Sequence, residues 1–133
     1  MKLCFLYICS IAVIFFLVSC KSNEDETARK RATLDILIVQ EFLPLISTEL
    51  SVSKKLNDLS KSKKKLNQII DATDKGISIF ELYENGLFVV INKQYNYTIT
   101  FSPHYEADVR WLCEIKGEKI SKLPCDIFNK NAK

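Results

Sequence analysis

Five cysteines, one histidine and a run of lysines are the residues of this 133-residue chain whose side chains could do chemistry or hold charge. His104 stands beside Tyr105 and Glu106, a set that suggests acid-base work. No serine or cysteine nucleophile, second histidine or glycine-rich phosphate loop can be placed with it. It reads as a loop residue, and the chain is expected to be no enzyme and to need no cofactor. Lys54, Lys55, Lys61, Lys63, Lys64 and Lys65 form a basic cluster that could take an anionic ligand: DNA, lipid headgroups, peptidoglycan or lipopolysaccharide phosphates. Aromatic residues are not interleaved with them, and lysines near a helix C-terminus complement its dipole, so a solvated helix face is the expectation and nucleic acid is disfavoured.

Cys20 has a different context. Lys2 supplies a short positive start, and Leu3 to Val18 is an apolar run without a charged residue, the composition of a secretory leader. The run ends in Leu17-Val18-Ser19-Cys20, which resembles the lipobox of bacterial lipoproteins. That likeness implies cleavage after Ser19 and acylation of Cys20. A transmembrane anchor is the rival reading, since the run is only a little short of the roughly 20 residues that span a bilayer. Each buried acyl methylene contributes about 0.8 kcal/mol, so several chains would hold the protein to a membrane almost permanently. Lys21 rather than Asp follows Cys20, which among lipoproteins points to the outer membrane.

Cys4 and Cys9 would leave with the leader, so Cys113 and Cys125 are the two thiols left to the mature chain. An exported domain sits where disulfides persist, and closing so short a loop stabilises by roughly 3 kcal/mol in the chain-entropy model. A disulfide is therefore expected. Metal ligation or a redox pair is disfavoured, because no Cys-x-x-Cys spacing occurs and the lone His104 cannot complete a four-ligand site.

The elements that position these residues follow from periodicity. Hydrophobic residues at 47% and charged residues at 26% match a folded chain, and the net charge of +3 is too small to argue binding from totals. Lys21 to Glu26 reads as a polar spacer, with a helix starting near Thr27. From Leu34 through Phe42, Val52 and Leu66 to Ile70 the apolar residues recur at helical spacing, with a kink or break expected at Pro44. Asp71 to Gly76 carries turn residues, after which β-branched and aromatic alternation begins. Ile77 to Tyr83 and Leu87 to Asn92 read as a hairpin turning at Glu84-Asn85-Gly86. Tyr97 to Ser102 is a third strand ended by Pro103, Val109 to Ile115 a fourth with Val109, Trp111 and Cys113 on one face, and Lys116 to Cys125 a loop. The alternation puts Trp111 in the core rather than at a partner surface, and Tyr83, Tyr95, Tyr97 and Tyr105 receive no role.

Several short motifs fall in a familiar order. Thr27-Ala28-Arg29 opens the helix and Asn85-Gly86 turns the first hairpin. Thr98-Ile99-Thr100-Phe101-Ser102-Pro103, Trp111-Leu112-Cys113 and Leu123-Pro124-Cys125 follow. Together they resemble the globular head of type IV pilins. The resemblance implies an α+β fold: a long N-terminal amphipathic helix packed on a small antiparallel sheet of about four strands, with a C-terminal disulfide-closed loop bounded by Cys113 and Cys125. It divides the chain into a leader at 1–19, the lipidated cysteine and spacer at 20–26, and a pilin-like domain at 27–133. The pilin start Phe-Thr-Leu-Ile-Glu is absent, and the lipobox stands in its place, so ordinary polymerisation is not expected.

The expected activity is binding. A pilin-like head on a lipid anchor would engage pilin or the pilus assembly machinery and modulate assembly or pilus-dependent phage infection. The alternative is an envelope inhibitor or immunity protein that neutralises a lysozyme-like or toxin enzyme, with Glu114 to Pro124 as the inserting loop.

Overall fold

The computed structural model describes the backbone of residues 2–73 and 77–132, and side chains from Glu26 onward within those ranges. The fold is α+β. Helix α1 (Lys2–Ser53) leads to a second helix, α2 (Leu59–Thr73), and a four-stranded sheet of β1 (Ile79–Leu82), β2 (Phe88–Asn92), β3 (Tyr97–Tyr105) and β4 (Val109–Gly117) follows before a short helix α3 (Leu123–Asn131). The sheet is an antiparallel meander in the order β1-β2-β3-β4, with Phe88 opposite Phe101 and Phe101 opposite Cys113.

Burial of one helix face against one sheet face builds the core. From α1 come Ala32, Ile36, Val39, Phe42, Ile46 and Leu50; Phe88, Val90, Ile99, Phe101 and Trp111 face them from the strands. A chain of aromatic rings crosses this layer. Phe42 meets Phe88 at 5.7 Å between ring centres, Phe88 meets Phe101 at 6.3 Å, and Phe101 meets Phe128 of α3 at 5.3 Å. Trp111 is buried as expected, and its indole N–H donates to Ser47 Oγ at 3.0 Å, tying β4 to α1.

Four local expectations change. The helix does not begin near Thr27, because α1 is already formed upstream of it, and Glu26 forms a 2.9 Å ion pair one turn on with Lys30. Pro44 does not break α1. The buried residues Phe42, Leu43, Ile46 and Leu50 flank it, and their burial outweighs the roughly 3 kcal/mol that proline costs a helix interior. The break falls instead at Lys54, which adopts a left-handed φ of 56° and takes the place glycine usually fills at a helix end. Asp58 then restarts the helix, its carboxylate accepting the Lys61 backbone N–H at 2.8 Å.

Pro103 does not end β3 either. The backbone of Cys113 faces away from β3, which places the nitrogens of Phe101 and Pro103 on the side toward β2. The pairing with β2 runs only as far as Phe101, so the donor that proline lacks is not missed. The supposed loop Lys116 to Cys125 is divided between the end of β4 and the start of α3, with only residues 118–122 between them. Of the expected turn at Asp71 to Gly76, Asp71 to Thr73 belong to α2, while Asp74, Lys75 and Gly76 lie outside the described residues.

Over Glu26–Ser53, α1 is long and apolar enough to cross a membrane by length and composition, though its inner face lies in the core described above. Its outer face is also apolar in part: Leu34, Leu37, Leu45 and Val52 are exposed.

Candidate functional site

The disulfide joins Cys113 in the middle of β4 to Cys125 in the first turn of α3. Both cysteines are buried, and two further contacts fasten α3 beside them. Phe128 enters the core against Phe101, and Asn129 reaches back to the outer edge of β4. There its Oδ1 accepts the Cys113 N–H at 2.8 Å while its Nδ2 donates to the Cys113 carbonyl at 2.9 Å. An edge strand presents unpaired donors and acceptors to any neighbour, and this amide occupies a pair of them at the strand's midpoint. The expected Glu114 to Pro124 inserting loop is shorter than that: Glu114 to Gly117 are strand, Leu123 and Pro124 open a helix, and residues 118–122 alone are loop.

All six cluster lysines are exposed, and among the described residues none forms an ion pair. They do not share one helix as the periodicity suggested. Lys54 and Lys55 occupy the connection after α1, and Lys61, Lys63, Lys64 and Lys65 lie on α2. The fold brings aromatic rings to them that the linear order does not. Lys54 Nζ sits 5.9 Å from the centre of the Tyr105 ring, whose hydroxyl donates to the Lys54 and Asn85 carbonyls at 3.3 Å each. Lys55 lines a cleft of about 360 Å³ with Tyr83, Glu84, Asn85 and Leu87. Leu56 N–H donates to the Glu84 carbonyl at 2.7 Å, fixing the connection against the β1-β2 turn. Gly86 in that turn has φ of 83°, and a Cβ there would stand 2.6 Å from Leu50 Cδ1, so the lysine connection, the turn and the end of α1 form one packed unit.

His104 is exposed on β3 opposite Arg110. Among the described residues no three His, Cys, Asp or Glu side chains converge as metal ligands would. Cys20 lies outside the residues whose side chains are described.

The sequence reading missed one cluster. Asp35 on the inner face of α1 is fully buried, with Oδ1 2.9 Å from Arg31 Nη2. Its Oδ2 accepts the Tyr97 hydroxyl at 2.6 Å and the Ser78 hydroxyl at 2.8 Å. Ser78 Oγ in turn accepts from Arg31 at 3.2 Å and from Asn92 at 3.0 Å. Helix α1 is thus tied to the approach to β1, the end of β2 and the start of β3. Periodicity assigns Asp35 only a position within the helix; the one available signal was a carboxylate one turn after Arg31 and flanked by apolar positions.

Burial and the bond to the Asp35 carboxylate both push the Tyr97 hydroxyl well above the usual tyrosine range. A raised folded-state value means the neutral phenol stabilises the fold fully below about pH 10, and this contribution is lost as pH rises beyond it. Tyr97→Phe is expected to cost about 1.5–3 kcal/mol at neutral pH, the range for a hydrogen bond to a charged group. It is also expected to flatten the loss of stability above about pH 10. Urea unfolding of both proteins between neutral and strongly alkaline pH checks both effects. An equal alkaline decline in the two would show that Tyr97 does not carry it.

No family model, curated protein or solved structure matches the chain.

Proposed function

We propose that this chain is a membrane-anchored, non-enzymatic binding protein whose pilin-like head engages pilin or the type IV pilus assembly machinery. The observation that carries the reading is α1. Beyond Cys20, α1 runs on into the head, where its inner face lies under the sheet. Its outer face leaves Leu37 and Leu45 about half exposed and Val52 85% exposed. Exposed apolar residues in a row along one helix favour a partner surface, and another helix is the simplest shape to cover them. The order of long helix, antiparallel meander and disulfide agrees with the motifs that resemble pilin heads. Cys20 supplies the acyl anchor, and Lys21 after it favours the outer membrane.

The test is a crosslinked pull-down of the lipidated protein from membranes of a piliated host, with Cys20→Ser as the unanchored control. Pilin or assembly proteins are expected to enrich with the lipidated form, and Leu37→Asp with Leu45→Asp is expected to abolish the enrichment. Recovery of an envelope enzyme with no pilus component would replace this reading with that of an inhibitor or immunity protein.

A further inference from the structure

We infer that the cap formed by the α1-α2 connection, the start of α2 and the β1-β2 turn is a docking surface for an anionic polysaccharide that carries carboxylates along its sugar chain. The inference stands on charge, shape and position, independently of any pilus partner. Between Lys54 and Lys65 six lysines face one carboxylate, Asp58, a net of +5; the whole chain carries +3, so all the remaining residues together are −2. It is the most densely positive stretch of the chain; residues 116–133 carry a smaller excess of +3.

Charge alone would suit any polyanion, and the neighbouring surface narrows the choice. Tyr83 is 45% exposed and Tyr105 36% exposed, each beside a lysine of the connection. The cleft beneath Lys55 combines the Tyr83 ring and Leu87 with the polar side chains of Glu84 and Asn85. A sugar ring presents an apolar C–H face and a rim of hydroxyls, which fits an aromatic wall bordered by an amide and a carboxylate. A second shallow cleft of about 370 Å³ continues alongside, between Lys63 on α2 and Phe80 and Tyr83 on the sheet. Two adjoining clefts rimmed by lysine match consecutive sugars of a charged chain better than a flat bilayer surface. The glutamates Glu81 and Glu84 beside them oppose the densely spaced phosphates of nucleic acid.

Position agrees. Glu26 and Ser53 bound a helical stretch about 40 Å long at 1.5 Å per residue, and the lysine cap sits at the Ser53 end. A chain held at its N-terminal side presents the cap to whatever lies opposite the anchoring surface.

The probe is polygalacturonate, a polymer of carboxylated sugars, titrated into the detergent-solubilised full chain. Dextran, polyglutamate and duplex DNA separate sugar from charge. Binding of polygalacturonate is expected at about 0.1 M salt and is expected to weaken as salt rises, with dextran inert. Lys55→Gln and Lys63→Gln together are expected to weaken it about tenfold with an unchanged melting temperature, because both side chains line the clefts and are solvated. Tyr83→Ala is expected to weaken polygalacturonate binding about threefold or more while leaving polyglutamate binding unaltered. Equal binding of all three polyanions with no Tyr83 effect would overturn the inference, leaving only a counterion surface. Absence of polygalacturonate binding at that salt would overturn it as well.

Discussion

Asp35→Ala is expected to cost about 3–5 kcal/mol, the range for breaking a buried ion pair by removing one partner. The carboxylate is fully buried and takes three contacts at 2.9 Å or less, from Arg31, Tyr97 and Ser78. Alanine would take the Asp35 carboxylate from the Arg31 guanidinium, whose side chain is only 11% exposed. The Tyr97 and Ser78 hydroxyls would lose their acceptor in the same low-dielectric corner. Asp35→Asn keeps the volume and an acceptor oxygen but removes the charge, so an intermediate loss is expected. Typical domains hold only 5–15 kcal/mol in total, which makes the alanine variant marginal. Urea unfolding measures it: with a slope of roughly 1–3 kcal/mol per molar, the midpoint is expected to fall by about 2 M. A loss below about 1 kcal/mol would mean that water reaches the cluster and that it behaves as a surface pair.

That cluster also marks where sequence reasoning stopped. The change from helical spacing to alternation after Ile70 was legible because it reflects which face each element buries, and it yields the helical first half, the hairpin at Asn85-Gly86 and the inward row Val109, Trp111 and Cys113. Long-range polar pairing has no such period. Asp35 meets Tyr97 and Ser78 across dozens of residues, and the one local mark that separates it from Glu41 and Glu49 on the same helix is Arg31 one turn before it. The break looked for at Pro44 and the strand end looked for at Pro103 failed for one reason: proline's local cost was weighed without the tertiary setting. The core around Phe42 and Leu50 holds α1 together, and the end of β2 pairing spares β3. Helix α3 was readable in principle. Pro124 in the first turn, Asp126 after it and Lys130 in the last turn are ordinary helix signals, but reading Lys116 to Cys125 as one disulfide-pinned loop passed over them.

The lysines show the same limit from the functional side. Their absence of interleaved aromatics is true of residues 54–65 and untrue of the surface, because Tyr83 and Tyr105 arrive from β1's end and from β3. A binding surface assembled from three elements is invisible to a scan along one of them.

Removing the disulfide, by Cys113→Ser with Cys125→Ser, is expected to cost about 3 kcal/mol, because the bond closes a loop across a sequence separation of 12 and restrains the unfolded chain. The fold gives this loss a location. Without the bond, α3 is held mainly by Phe128 against Phe101 and by the Asn129 amide on Cys113, and a helix of 9 residues has little stability of its own. Local opening of α3 should therefore precede global unfolding, uncovering the edge of β4 that Asn129 occupies. Amide exchange reads this directly: the residue-113 N–H is expected to exchange much faster in the serine pair, while the β2 and β3 amides at Val90 and Ile99 slow or quicken only with global stability. Asn129→Ala with the disulfide intact separates the two restraints, since it should expose the same amide with a stability loss of only about 1–2 kcal/mol. Uniform acceleration of exchange across all strands in the serine pair would show that α3 and the sheet open as one unit. In that case the bond stabilises the whole head and does not fasten α3 in particular.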